Sequence, residues 1–148
     1  MKNITIRKIE EKDFGALIIL FKEFAKFEKL PEKMINTEQQ MQIEKDYVNG
    51  FVALSESNKI VGFVTFFFAY YTWTGKSIFM DDLYVKSNFR GNGIGSKLMK
   101  SVIEYAKLES CNKLRWQVSK WNKDAIDFYE NLGATIDTIE INCDLSLK

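Results

Sequence analysis

The chain has no histidine, a single proline and only two cysteines among its 148 residues. Without histidine, Ser-His and Cys-His nucleophilic systems are excluded, and so are histidine-containing metal sites. Cys111 and Cys143 lie far apart with no metal-ligand spacing, so they are expected as buried thiols and no metal site is expected. An excess of charge is missing too. The 21 basic and 20 acidic residues leave a net charge of +1, which excludes a strong basic field aimed at nucleic acid or a membrane surface. No apolar run reaches the length needed to span a bilayer; the longest, residues 60–71, contains Gly62 and Thr65. Residues 1–10 alternate apolar and charged side chains, which reads as a strand and not as a signal peptide. A cytoplasmic protein is expected. Any acid or base must be a carboxylate, a tyrosine, a lysine, a thiol or water.

What is present suits a soluble globular protein. Apolar residues make up 46% and charged residues 28%, and the length allows one domain, 1–148, with a core of its own. Residues 4–8 alternate as a short strand. Asp13 is placed to cap a helix whose apolar positions Phe14, Leu17, Ile18, Phe21 and Phe24 follow helical spacing, with an end near Leu30 and Pro31. Thr37 and Gln40 resemble a capping box for a second helix running to about Val48, and Asn49-Gly50 then predicts a turn. Residues 51–55 and 59–70 form a predicted strand pair, and 77–85 a further strand after the turn at Trp73-Thr74-Gly75. Ile94, Leu98, Val102, Tyr105 and Leu108 make one stripe of a long helix. A strand at 114–119, a helix at 123–131 stopped by Gly133, and one or two strands over 135–145 complete the order. The expected fold is α/β, a mixed, mostly antiparallel sheet with helices on both faces.

The strand at 77–85 leads into Arg90-Gly91-Asn92-Gly93-Ile94-Gly95 and then directly into the long helix. Glycines allow positive φ and a close backbone approach, and the unsatisfied N–H groups of a first helical turn form an anion cradle. Arg90 adds a planar cation suited to phosphate, and Ser96 and Lys97 follow with no carboxylate to oppose an anion. A pyrophosphate is the expected guest. A Walker loop would end in Gly-Lys-Ser/Thr, which Gly95-Ser96-Lys97 does not; a dinucleotide fold would place its glycines after the first strand of a βαβ unit.

Asp81 and Asp82 stand side by side in an otherwise apolar strand. Two carboxylates in such a strand are costly without partners, which favours a function for at least one of them. Adjacent strand side chains point to opposite faces, so at most one aims straight into a given cleft unless a bulge intervenes. By pattern alone Tyr129 is a core aromatic beside Phe128, and Asn122 is an N-cap, a cofactor contact or both.

The segment Arg90 to Gly95 resembles the Q/R-x-x-G-x-G/A signature of the GNAT acetyltransferases. Val61-Gly62-Phe63, Trp73-Thr74-Gly75-Lys76, Asp81-Asp82-Leu83-Tyr84-Val85, Trp121-Asn122 and Ile126-Asp127-Phe128-Tyr129 extend the likeness to the spermidine/spermine and thialysine N-acetyltransferase branch, as does Lys22 through Phe27 and Glu28 in the first helix. The resemblance implies a GNAT fold, acetyl-CoA as cofactor, a small-molecule amine as acceptor and a homodimer. It implies that backbone groups of Leu83, Tyr84 and Val85 pair with the pantetheine arm and that Arg90, Gly91, Asn92, Gly93, Ile94, Gly95 and Ser96 hold the pyrophosphate. Asn122, Lys123, Asp124, Ala125 and Phe128 are implied on the cofactor's other side. Asp81 is implied as the base or the residue that orients a water, acting directly or through a water relay; polyamine-acetylating relatives usually carry the longer Glu there, which favours the relay. Tyr129 is implied as the acid. Phe27, Glu28, Trp73 and Asp81 are implied in amine binding, with Trp116 in the core. The rivals are acetylation of protein or peptide lysines and a non-catalytic acyl-CoA sensor.

Overall fold

A computed structural model describes residues 3–148, so Met1 and Lys2 of the expected opening strand lie outside the described residues. The chain divides into two compact units, one ending at Gln117 and the other spanning Val118–Lys148. The first unit holds β1 (Thr5–Lys8), α1 (Phe14–Phe27), α2 (Glu38–Ile43), β2 (Asn49–Leu54), β3 (Ile60–Tyr71), β4 (Gly75–Val85), α3 (Ile94–Leu108) and β5 (Lys113–Trp116). The second holds α4 (Lys123–Asn131).

The sheet runs β1-β2-β3-β4-β5, with the first three pairings antiparallel and β4 parallel to β5. A parallel pair needs a crossover, which α3 supplies. Strand alternation sends neighbouring side chains into two separate cores. Val52, Leu54, Phe63 and Tyr84 meet Phe14, Leu17, Ile18 and Leu20 of α1 and Met41 of α2. On the other face Ala53, Val61, Val64, Phe66, Ile78 and Met80 meet Ile94, Leu98, Met99, Val102 and Ala106 of α3. Helices therefore cover both faces, as the pattern predicts. Each fully buried Leu or Phe contributes about 1.5–3 kcal/mol.

Several local expectations are corrected. Asp13 does not cap α1; it is buried, its carboxylate takes two bonds from Arg7 at 2.7 and 2.9 Å, and it accepts the Glu10 N–H at 2.8 Å. α1 stops at Phe27 because Lys29 turns left-handed (φ 65°) and Leu30 donates back to the Ala25 carbonyl. The Thr37 cap holds, its Oγ1 accepting the Gln40 N–H at 3.1 Å, but α2 ends at Ile43 and a 3₁₀ turn at Lys45–Tyr47 follows. Asn49 and Gly50 lie within β2 instead of turning the chain. Gly50 is there because a Cβ would run into the Val64 carbonyl and the Ile9 side chain.

On α3 the lower stripe is carried by Met99 and Ala106, while Leu108 is exposed. β5 ends at Trp116, which is half-buried against the α3 core, and Cys143 is exposed where a buried thiol is expected. Residues 134–148 form no strand. Their alternation needs a sheet edge to pair with, and the second unit contains only α4.

Candidate active site

The pairing of β3 with β4 breaks at the two aspartates. Val64 faces Leu83 and Phe66 faces Met80, so Thr65 alone stands opposite both Asp81 and Asp82. This is a β-bulge, and it suspends the strict alternation that would separate the two side chains. Thr65 Oγ1 accepts the Asp82 N–H at 3.3 Å. The electrostatics show the result. Burial, then the charge of Asp81, then that of Glu28 push the Asp82 carboxyl up to about 7. Asp81 keeps solvent access, yet the protein around it desolvates its carboxyl enough to raise it above the usual range. Asp81, Asp82 and Glu28, the residue after α1, thus form one acidic cluster. Asp82 had no role of its own in the sequence; burial and the distant Glu28, added to its chain neighbour Asp81, single it out.

Beyond the bulge β4 loses its second partner. The ladder to β5 runs from Ser77 opposite Lys113 to Met80 opposite Trp116 and stops there. Leu83, Tyr84 and Val85 therefore lie past the end of that ladder. Tyr84 is buried between Phe24, 5.3 Å away, and Phe63, 6.1 Å away, and its hydroxyl meets Glu23 at 3.3 Å.

A 3₁₀ turn at Ser87–Phe89 carries the chain from β4 into the glycine turn. Gly91 and Gly93 have φ +79° and +75°, conformations that other residues adopt only with strain. A Cβ built at Gly91, Gly93 or Gly95 would meet nothing within 4 Å, so the concave side of the turn is open. Asn92 braces it, its Nδ2 donating to the Phe89 carbonyl at 3.0 Å and the Arg90 carbonyl at 3.3 Å. Ile94 is buried and anchors the start of α3, while Ser96 is exposed. No side chain caps α3 and no acid lies in its first turn. Its first N–H groups are thus offered to an external anion, and the donor set fits a pyrophosphate. Arg90 is tied into the fold as well. Its Nε donates to the Val85 carbonyl at 2.8 Å, and its guanidinium sits 4.6 Å from the Phe27 ring and 5.3 Å from that of Tyr84.

Trp73 is not brought to the acidic cluster. It is almost wholly exposed in the turn at the far tip of the β3–β4 hairpin, between Tyr71 and Gly75.

In the second unit, Asn122 caps α4, its Oδ1 accepting the Ala125 N–H at 3.3 Å. Lys123, Asp124 and Ala125 form the first turn, with Lys123 and Asp124 exposed. Tyr129 is the buried residue of α4, its ring 5.4 Å from that of Phe128. Gly133, at φ +92°, follows the helix as its stop. Among the described residues no helix is long and apolar enough to cross a membrane.

Residues 7–134 match the Acetyltransferase (GNAT) family. The chain is 35% identical over 145 residues to the thialysine N-epsilon-acetyltransferase of Sus scrofa, covering 90% of this chain and 85% of that protein. It is 34% identical over 143 residues to the protein of the same name from Caenorhabditis elegans, covering 95% and 86%. A solved aminoglycoside acetyltransferase from an uncultured soil metagenomic sample, in complex with sisomicin, shares the fold with a TM-score of 0.80. Its identity is 24%, with 98% of this chain and 97% of that one covered.

Proposed function

The chain belongs to the GNAT acetyltransferase family and is an N-acetyltransferase acting on an amine of a small substrate, and we propose that this substrate is a diamine, a polyamine or a lysine-like amino acid. The observation that carries the choice is the cluster of Asp81, Asp82 and Glu28, in which the charges of Asp81 and Glu28 both bear on the Asp82 carboxyl. Such a cluster attracts a molecule with two separated cations more than a molecule with one. The thialysine acetyltransferases it resembles are named for a substrate of that kind.

Acetyl-CoA supplies the activated acetyl group, and in this reading it is bound by the turn from Arg90 to Ser96, by the backbone of Leu83, Tyr84 and Val85, and by Asn122 to Ala125 with Phe128. An alkyl ammonium must lose a proton before it can attack, because its pKa is near 10. Asp81 takes that proton through a water, and Asp82, with its carboxyl near neutral, shares the charge and the proton with it. Glu28, with Phe27 beside it, holds the second cation. Tyr129 holds a phenolic proton on Oη for the leaving group. The acyl group passes directly, with no covalent enzyme intermediate.

Residues 1–148 act as one catalytic domain in this reading, supported by a family match that runs through the division at Gln117. A homodimer is supported by Ile139, Ile141, Leu145 and Leu147, apolar residues that alternate with polar ones in the sequence of the tail and are each more than four-fifths exposed. The free Cys111 and Cys143 accord with the reducing cytoplasm. Release of coenzyme thiol across a panel of diamines, monoamines and lysine peptides tests the proposal. Diamines or lysine-like amino acids should lead; a peptide that outperforms every small amine contradicts it.

A further inference from the structure

Arg90 touches three parts of the first unit at once. It belongs to the glycine turn, its Nε–H is spent on the last carbonyl of β4 at Val85, and its guanidinium plane lies on Phe27, the last residue of α1. Tyr84 completes the stack at 5.3 Å and is itself held by Phe24 of α1 at 5.3 Å and by Glu23 through its hydroxyl. The residue after Phe27 is Glu28, a member of the acidic cluster. No side chain caps α3, so its first N–H groups are open to an anion, and an anion seated there would further fix the backbone that carries Arg90, which Asn92 already braces.

We propose that Arg90 is a positioning residue that couples the anion-holding turn to the end of α1 through Phe27, so that filling the turn orders Glu28 for the amine. This rests on the reading of the turn as the acetyl-CoA phosphate site. Coupling between two sites is reciprocal, so the amine tightens the cofactor by the factor with which the cofactor tightens the amine. A planar guanidinium on an aromatic face is what carries it. Lysine keeps the charge and loses the plane, and leucine keeps the bulk of Phe27 and loses the ring.

Hydrogen exchange of residues 23–30, measured with and without saturating coenzyme A, reads the coupling without any amine. The wild type should show at least about fivefold slower exchange when coenzyme A is bound, the low end of ordinary coupling. Arg90→Lys and Phe27→Leu should each lose that slowing at saturation, the double variant should lose no more, and Phe27→Tyr should retain it. In turnover, Arg90→Lys should raise KM for the amine by a similar factor with a smaller change in kcat. Slowing that survives in both single variants, or its absence in a wild type that binds coenzyme A, overturns the coupling alone. A wild type that binds no coenzyme A overturns the cofactor reading and the coupling with it.

Discussion

Asp82 gives its backbone N–H to Thr65 Oγ1 at 3.3 Å, and that bond lies inside the bulge where one residue of β3 faces two of β4. Thr65→Val keeps the shape and removes the acceptor. A lost bond of this kind costs about 1 kcal/mol. Denaturant unfolding should show that loss, and turnover should fall with it because the two carboxylates lose their fixed placement.

Asp82 also sets a pH dependence of stability. Its carboxyl is raised to about 7 by burial and by Asp81 and Glu28, so the folded chain binds a proton more tightly than the unfolded one. That contribution is fully present below the unfolded value near 4, is lost as pH rises towards 7, and is flat above. Asp82→Asn should remove this share of the decline and leave the share, of the same sign, that the raised Asp81 carboxyl contributes. Thermal unfolding from pH 4 to 8 should show the variant less sensitive to pH and more stable than the wild type at pH 8.

Gly93 starts α3 at φ +75° with open space where a Cβ would stand. Gly93→Val forces a branched side chain into a left-handed conformation, costing about 1–2 kcal/mol, and fills the concave side of the turn. Calorimetry should show acetyl-CoA affinity falling by more than about tenfold, a loss of roughly 1.4 kcal/mol. Unchanged affinity would remove the turn from the cofactor site.

Tyr129→Phe keeps the ring that packs against Phe128 and deletes the phenolic proton. Turnover should drop by about 10²-fold or more, as for a lost general acid, with cofactor affinity retained. Retained turnover would make Tyr129 a packing residue and favour the acyl-CoA sensor.

Elements governed by local chemistry were legible in the chain. The span 123–131 and the stop at Gly133 match α4, and the strand–turn–helix around Gly93 matches β4 and α3. What escaped depends on partners distant in sequence. Asn49-Gly50 reads locally as a turn, yet Gly50 is demanded by the approach of Val64 across the sheet. The bulge is a matter of register between β3 and β4, which no pattern within β4 shows, so Asp82 was left without a role. Arg90 reads as a phosphate ligand from its neighbours in the chain; its further contact with Phe27, brought by α1, has no signal there. The tail at 135–145 alternates as a strand should and lacks a sheet edge within its own unit.

The central claim is that the acidic cluster selects an amine carrying a second cation. The direct measurement is kcat/KM for a diamine divided by kcat/KM for the monoamine of equal length, in the wild type, Glu28→Gln and Asp81→Asn. The wild-type ratio should be about 10 or more, the fold given by roughly 1.4 kcal/mol. Glu28→Gln should bring it towards one mainly through KM, whereas Asp81→Asn should lower kcat for both amines and steepen the alkaline rise in rate. A wild-type ratio near one, or a ratio untouched by Glu28→Gln, would contradict the account.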